Sequence, residues 1–201
     1  MKKSSILILI IICLVGCKKG SNETTITGEI KGLGTDTLYL YGMDELYDRI
    51  DTIYVENDKF SYTTSVDTIT SAYLLLKNRI EYPVFLDKGN KIKIKGDTIN
   101  LNFLTISGNI YNEEFTDFQK ALEDPADPSE KAGEETVDKR ITVEKANTAE
   151  EMAEEFILQH HSSYVSLYLL DKYFVQKETP DFSKIKKLVE VMTGVLPVSY
   201  T

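Results

Sequence analysis

From Thr24 to Ser107 the apolar and polar positions alternate with a period of two, the signature of half-buried strands. Ile26, Gly28 and Ile30 alternate with Thr and Glu, and Leu38 and Leu40 alternate with Tyr39 and Tyr41. Ile50, Ile53 and Val55 follow, then Phe60 and Tyr62 after an Asn57-Asp58 turn. Ala72 to Leu76 is more continuously apolar and suits a central strand, and Val84-Phe85-Leu86 reads as another. Past the Lys88-Gly89-Asn90 turn, Ile92 and Ile94 alternate with Lys91, Lys93 and Lys95, whose charges suit an edge protected from further pairing. Phe103, Thr105 and Ile106 form a last candidate. Seven or eight short strands punctuated by Gly, Asn and Asp predict an antiparallel β-sandwich or open barrel over residues 24–107.

At Gly108-Asn109 the period changes to 3.6, and the chain becomes α+β. Tyr111, Phe115, Phe118 and Leu122 recur at spacings that place them on one helix face, with Asn109 able to cap its start. The Pro125 to Pro128 stretch breaks that pattern. Ser129 to Asn147 is charged and weakly periodic, compatible with a solvated helix or a mobile segment. Thr148 and Glu151 form a capping-box pattern that predicts a helix start, carrying Met152, Phe156 and Ile157 toward His160-His161. A second helix is predicted from Ser163 to Phe174, with Ser162 or Ser163 as cap. A third carries Ile185, Leu188, Val189 and Met192 and stops near Gly194 and Pro197. Residues 108–201 thus read as a helical segment.

Ahead of these elements, Lys2 and Lys3, an apolar run to Val15 and the small residues Gly16-Cys17 have the layout of a secretory signal over residues 1–16. The run is too short for the roughly 20 residues of a spanning helix. Leu14-Val15-Gly16-Cys17 resembles the bacterial lipoprotein box. That resemblance implies cleavage before Cys17, lipid on its sulfur and acylation of the new N-terminus, with residues 17–23 as a polar tether. One acyl chain holds a protein marginally and two or more hold it firmly. No acidic cluster follows Cys17, which resembles lipoproteins of the outer membrane that face the periplasm.

The anchor changes what chemistry remains. The sequence has two cysteines; Cys13 falls in the leader and Cys17 would be a thioether, so the mature body has no thiol, disulfide or thiolate ligand. The formal net charge of −9 argues against nucleic acid as a partner, since the phosphate backbone repels an acidic surface. His160-His161 is the sole histidine pair and the candidate for a metal or acid–base site. Adjacent helical positions diverge by about 100°, and no HExxH spacing exists; a polar turn at a helix end is the simpler reading. Asp44, Glu45, Asp48 and Asp51 crowd one loop without an EF-hand pattern. Ser162, Ser163 and Ser166 lack a GxSxG context, and no phosphate-binding glycine loop occurs. No catalytic residue, metal ligand or cofactor is assigned. The 12 tyrosines suit half-buried packing and recognition surfaces alike, with packing favoured.

Thr27 to Gly32 with Thr37 to Leu40, Asp58 to Tyr62, Val84 to Asn90 with Ile92 to Asp97, and Ser107-Gly108-Asn109 with Asn112, Phe115 and Phe118 carry a further resemblance. They look like the N-terminal domain of unknown function found in Gram-negative lipoproteins with a C-terminal thioredoxin-like domain of the thiol:disulfide interchange type. Phe156-Ile157, His161-Ser162, Ser166, Leu169 and Leu170 resemble that family's helical connector, with Ser162 where a proline often stands. The resemblance implies a β-rich domain, helices and then a redox domain. No CxxC exists in this sequence, so the redox chemistry falls on no residue here. The chain reads as a stand-alone accessory version or as the front half of a longer oxidoreductase. The function expected is a lipid-anchored envelope accessory or binding module, non-catalytic, with the membrane and a thioredoxin-like protein or domain as partners. A metal-assisted hydrolase using His160 and His161, and a structural lipoprotein without ligand, are the alternatives.

Overall fold

The computed structural model describes residues 22–42, 45–76, 80–123 and 138–192. The leader, Cys17, Asp44, the 125–128 break and the Gly194 and Pro197 stop lie outside the described residues.

Eight strands form two four-stranded sheets that face each other as a sandwich, not closed into a barrel. They are β1 (Glu23–Lys31), β2 (Asp36–Gly42), β3 (Ile50–Val55), β4 (Lys59–Ser65), β5 (Thr70–Leu76), β6 (Ile80–Leu86), β7 (Lys91–Asp97) and β8 (Thr105–Ser107). The first sheet runs β4-β1-β7-β8 and the second β3-β2-β5-β6. Each strand turns alternate residues inward: Ile26 and Ile30, Leu38 and Leu40, Ala72, Leu74 and Leu76, and Ile92 and Ile94 fill the space between the sheets. Gly28 faces the Phe60 ring so closely that a Cβ there would collide with it, so the missing side chain lets the ring lie across β1.

Two strand expectations need correcting. The sandwich is not wholly antiparallel, because β1 and β7 pair parallel, Ile26 beside Ile92 and Gly28 beside Ile94. And β7 is no edge: it lies between β1 and the short β8, with Lys91, Lys93 and Lys95 exposed on the outer face. Their lysines solvate a sheet surface; the edge belongs to β8. The central placement of Ala72 to Leu76 is as expected, since β5 lies between β2 and β6.

The second sheet connects to the first through a tight turn. Asn57 and Asp58 both have positive φ, 52° and 71°, as a two-residue hairpin turn of matching twist requires. Glu56 and Lys59 exchange backbone hydrogen bonds of 2.9 and 3.1 Å, and beyond them β3 and β4 enter different sheets.

The helices are α1 (Ile110–Glu123), α2 (Asp138–Gln159), α3 (Tyr164–Leu170), which continues as a π-helical turn (Asp171–Val175), and α4 (Phe182–Met192). Asn109 caps α1 as expected: its Oδ1 accepts from the Asn112 amide at 2.9 Å. Ser163 caps α3, accepting from the Val165 amide at 3.1 Å. The capping-box expectation at Thr148 is corrected, for the helix already runs from Asp138, and residues 138–147 are helical. A Thr-x-x-Glu spacing marks a helix start only when the backbone before it is not already helical, and four residues do not report that.

The helices pack against the β6 side of the second sheet through aromatic rings. Phe115 of α1 sits edge-on to Tyr82, Phe85 and Tyr168, at centroid distances of 6.0, 6.2 and 5.2 Å. Tyr168 brings α3 onto Phe85 as well, at 6.4 Å. Phe118 meets Phe156 of α2 at 5.6 Å. These offset contacts are the favoured geometry for ring quadrupoles.

Candidate functional site

His160 and His161 lie on the turn between α2 and α3. The Phe156 ring one turn upstream stacks on the His160 ring, 4.3 Å between centroids and 11° from parallel. Its Nδ1 faces Glu114 of α1 at 3.4 Å. The other oxygen of Glu114 accepts from the Ser163 hydroxyl at 2.5 Å. Ser166 donates to the His160 carbonyl at 2.7 Å. A cleft of about 330 Å³ opens beside them, with Phe118, Met152 and Phe156 among its apolar walls and Glu114, Asp117 and Glu155 on its polar side.

Serine, histidine and carboxylate therefore meet here, but in the wrong order for a nucleophile. A catalytic serine gives its proton to the imidazole, which a carboxylate orients from behind. Here the carboxylate stands between them, and Ser163 Oγ, itself buried, both donates to Glu114 and caps α3. What the arrangement does is tie α1 to the α2–α3 turn. His161 is not drawn in: its Nδ1 is buried with no hydrogen-bond partner among the described residues. Among the described residues no three of His, Cys, Asp or Glu gather as a metal-ligand set.

The polar residues most deeply engaged are ones that pattern reading passed over. Asn112 is 1% exposed, on the face of α1 turned to the edge of β6. Its Oδ1 accepts from the Phe85 amide at 3.0 Å and its Nδ2 donates to the Phe85 carbonyl at 2.8 Å. The side-chain amide thus replaces a neighbouring strand. One turn on, the Thr116 hydroxyl accepts from the Ile106 amide at 3.0 Å and donates to the Ile106 carbonyl at 2.9 Å, doing the same for β8. Between them the Tyr82 hydroxyl accepts from the Leu104 amide at 3.0 Å and donates to its carbonyl at 2.8 Å. One helix face thereby seals the side of the sandwich where β6 and β8 would leave bare edges. Gly108 makes the approach possible: its φ is 111°, and a Cβ would strike the Lys91 carbonyl. A signal was available, since 112, 115, 116 and 119 are spaced to share one helix face, so Asn112 and Thr116 fall beside the apolar Phe115.

Residues 24–115 match DUF4369, a domain of unknown function. No curated protein matches the chain. The DUF4369 match covers the eight strands from Thr24 onward and the first turns of α1, ending on Phe115. Asn109, Asn112 and Phe115, three residues that bind α1 to the sandwich, fall inside it. His160 and His161 fall outside it.

The acidic loop also lies within DUF4369. Glu45 and Asp48 are exposed, whereas Asp51 turns inward at the end of β3 far from the Glu56–Lys59 bridge. Tyr47 donates to Asp51 and meets Thr64 at 3.1 Å; Arg49 pairs with Asp51 at 3.1 Å and reaches the Thr64 hydroxyl and the Ser65 carbonyl, the last at 3.2 Å. Burial first, then the hydrogen bond to Asp51, pushes the Tyr47 phenol up to about 12. Burial alone would raise Asp51, but the bonds from Tyr47, Tyr62 and Arg49 outweigh it and hold the carboxyl below its ordinary value. This clasp joins the two sheets rather than offering carboxylates to a cation.

Its pH dependence follows from those two directions. Tyr47, raised on folding, contributes fully below its ordinary value of 10.0, and that contribution is lost as pH rises through about 12. Asp51, lowered on folding, contributes above its ordinary 3.8, and that is lost as pH falls through the folded value. Denaturant titrations should therefore show a stability plateau between the two ordinary values. Asp51→Asn should flatten the acid limb and cost about 1–3 kcal/mol at neutral pH. An unchanged acid limb in that variant would remove Asp51 from the account.

Proposed function

We propose that this protein is a lipid-anchored accessory module of the bacterial cell envelope that binds or positions a partner and carries no catalytic group of its own. The observation that carries the reading is how the clustered polar side chains are used. Asn112, Thr116, Tyr82, Ser163 and the Tyr47–Arg49–Asp51 clasp all close hydrogen bonds between elements. The result is a rigid platform of sandwich and helices. The Leu14 to Cys17 box supports attachment through lipid on Cys17, on an outer membrane facing the periplasm. The resemblance of the strand and turn motifs from Thr27 to Phe118, and of Phe156 to Leu170, to lipoproteins with a thioredoxin-like domain is what supports a place beside a thioredoxin-like protein or domain in thiol:disulfide exchange.

Mass spectrometry of the native protein should find residues 1–16 removed and Cys17 acylated; an intact, unmodified leader would refute the anchor. Affinity capture from solubilised membranes should recover a thioredoxin-like protein, and recovery of none, with no binding to such a domain added separately, would remove the redox link. The metal-assisted hydrolase draws on one observation, His160 facing Glu114 beside an acidic cleft. Zinc retained at one per chain through dialysis and lost in His160→Ala would move the assignment there.

A further inference from the structure

The sandwich has four edge strands, and they are treated differently. The β6 edge is occupied by Asn112 and the β8 edge by Thr116. On β4 the outward side chains are Lys59, Ser61, Thr63 and Ser65, all polar, and Arg49 holds its far end. The β3 edge has one charged residue, Asp51, turned inward into the clasp with Tyr47 and Arg49, and none of the other protections. Its sequence, Ile-Asp-Thr-Ile-Tyr-Val, holds no lysine, no proline and no bulge across its six-residue register with β2. Past the Glu56–Lys59 bridge, no backbone hydrogen bond joins it to β4 among the described residues. Its outward side chains are Ile50, Thr52 and Tyr54, and Ile50 and Tyr54 are 73% and 72% exposed. Natural edge strands are normally blunted against pairing, and one whose outer face is left apolar invites another strand.

We propose that β3 pairs edge to edge with β3 of a second copy of this chain, antiparallel and two-fold symmetric about Thr52. The strand's own pattern selects this occupant. With Thr52 opposite Thr52, each Ile50 lies opposite the other copy's Tyr54, so both exposed apolar residues are matched twice by one symmetry operation. Aromatic with β-branched and Thr with Thr are favourable cross-strand pairs. A slip of one residue would set outward side chains against inward ones. A slip of two would put Ile50 opposite Glu56 and Thr52 opposite Tyr54. Tyr39 and Tyr41, opposite Thr52 and Ile50 on β2, extend the same face, so the joined sheets present a continuous tyrosine-bearing surface. At both ends Asp48 comes opposite Glu56, like charges that confine the pairing to the strand and make the dimer tighter at higher salt.

The test uses the full chain in detergent with Cys13 and Cys17 replaced by serine. Thr52→Cys in that background should oxidise to a disulfide-linked dimer, while Ser61→Cys, on the outer face of β4, stays monomeric. Sedimentation at about 100 μM, high enough for a small interface, should show a dimer that grows with salt. Ile50→Lys with Tyr54→Lys should weaken it roughly tenfold or more. A monomer throughout, a dimer that survives the double lysine variant, or equal cross-linking at 52 and 61 would each overturn the proposal.

Discussion

Phe115→Ala is expected to cost about 3–5 kcal/mol. The ring is 2% exposed and meets three others, Tyr82 and Phe85 of β6 and Tyr168 of α3. Removing it strips apolar area from water-free surroundings and leaves a cavity that three rings on two different elements would have to collapse together to fill. Tyr82 cannot follow, because its hydroxyl is held on both sides by the Leu104 backbone. Tyr168 is tied through Phe85. Phe115→Leu keeps much of the volume and should cost only about 1–2 kcal/mol. Urea unfolding followed by far-ultraviolet circular dichroism and by tyrosine fluorescence checks both variants. A loss in Phe115→Ala under about 1 kcal/mol would mean that the helices are not seated on the sheet as described.

The strands were legible because their side chains alternate, and alternation reports only which face is buried. Ile92 and Ile94 against Lys91, Lys93 and Lys95 put the right residues inside. They could not say that β7 would lie parallel beside β1, since period two is blind to neighbours and direction. The edge assignment failed for that reason: exposed lysines satisfy an outer sheet face as well as an edge. On α1 the apolar stripe Tyr111, Phe115 and Phe118 was legible, and two of its essential residues were not. Asn112 entered only among the residues of the family resemblance and Thr116 not at all, because a helix pattern treats polar residues as solvent-facing. What they bond is backbone 27 and 10 residues away in sequence. Glu114 and Ser163, 49 residues apart, are another pair that no local window joins. The candidate site was legible only as residue types: His160 and the serines do come together, and Glu114, which decides their arrangement, carried no sequence signal.

Asn112→Ala is the second large effect, expected at about 2–4 kcal/mol, because each buried polar group left unpaired costs about 1–3 kcal/mol. Phe85 is fully buried, so when the Asn112 amide goes its N–H loses the Oδ1 acceptor and water cannot replace it. The Phe85 carbonyl fares better, for Asn109 also donates to it at 2.8 Å. That asymmetry makes the variants informative. Asn112→Asp keeps an acceptor for the Phe85 N–H but discards the donor and sets a carboxylate against the Phe85 carbonyl and Asn109 Oδ1, so it should be no better than alanine near neutral pH and recover as the carboxyl protonates. Thr116→Val removes the hydroxyl that serves both backbone groups of Ile106 while keeping the shape, at about 1–3 kcal/mol, whereas Thr116→Ser should be nearly silent. Hydrogen exchange locates the damage. The Phe85 amide should exchange much faster in Asn112→Ala and the Ile106 amide in Thr116→Val, each with the other protected. Uniform acceleration across both edges in either variant would show that the helix seals the sandwich as a block and not through these two side chains.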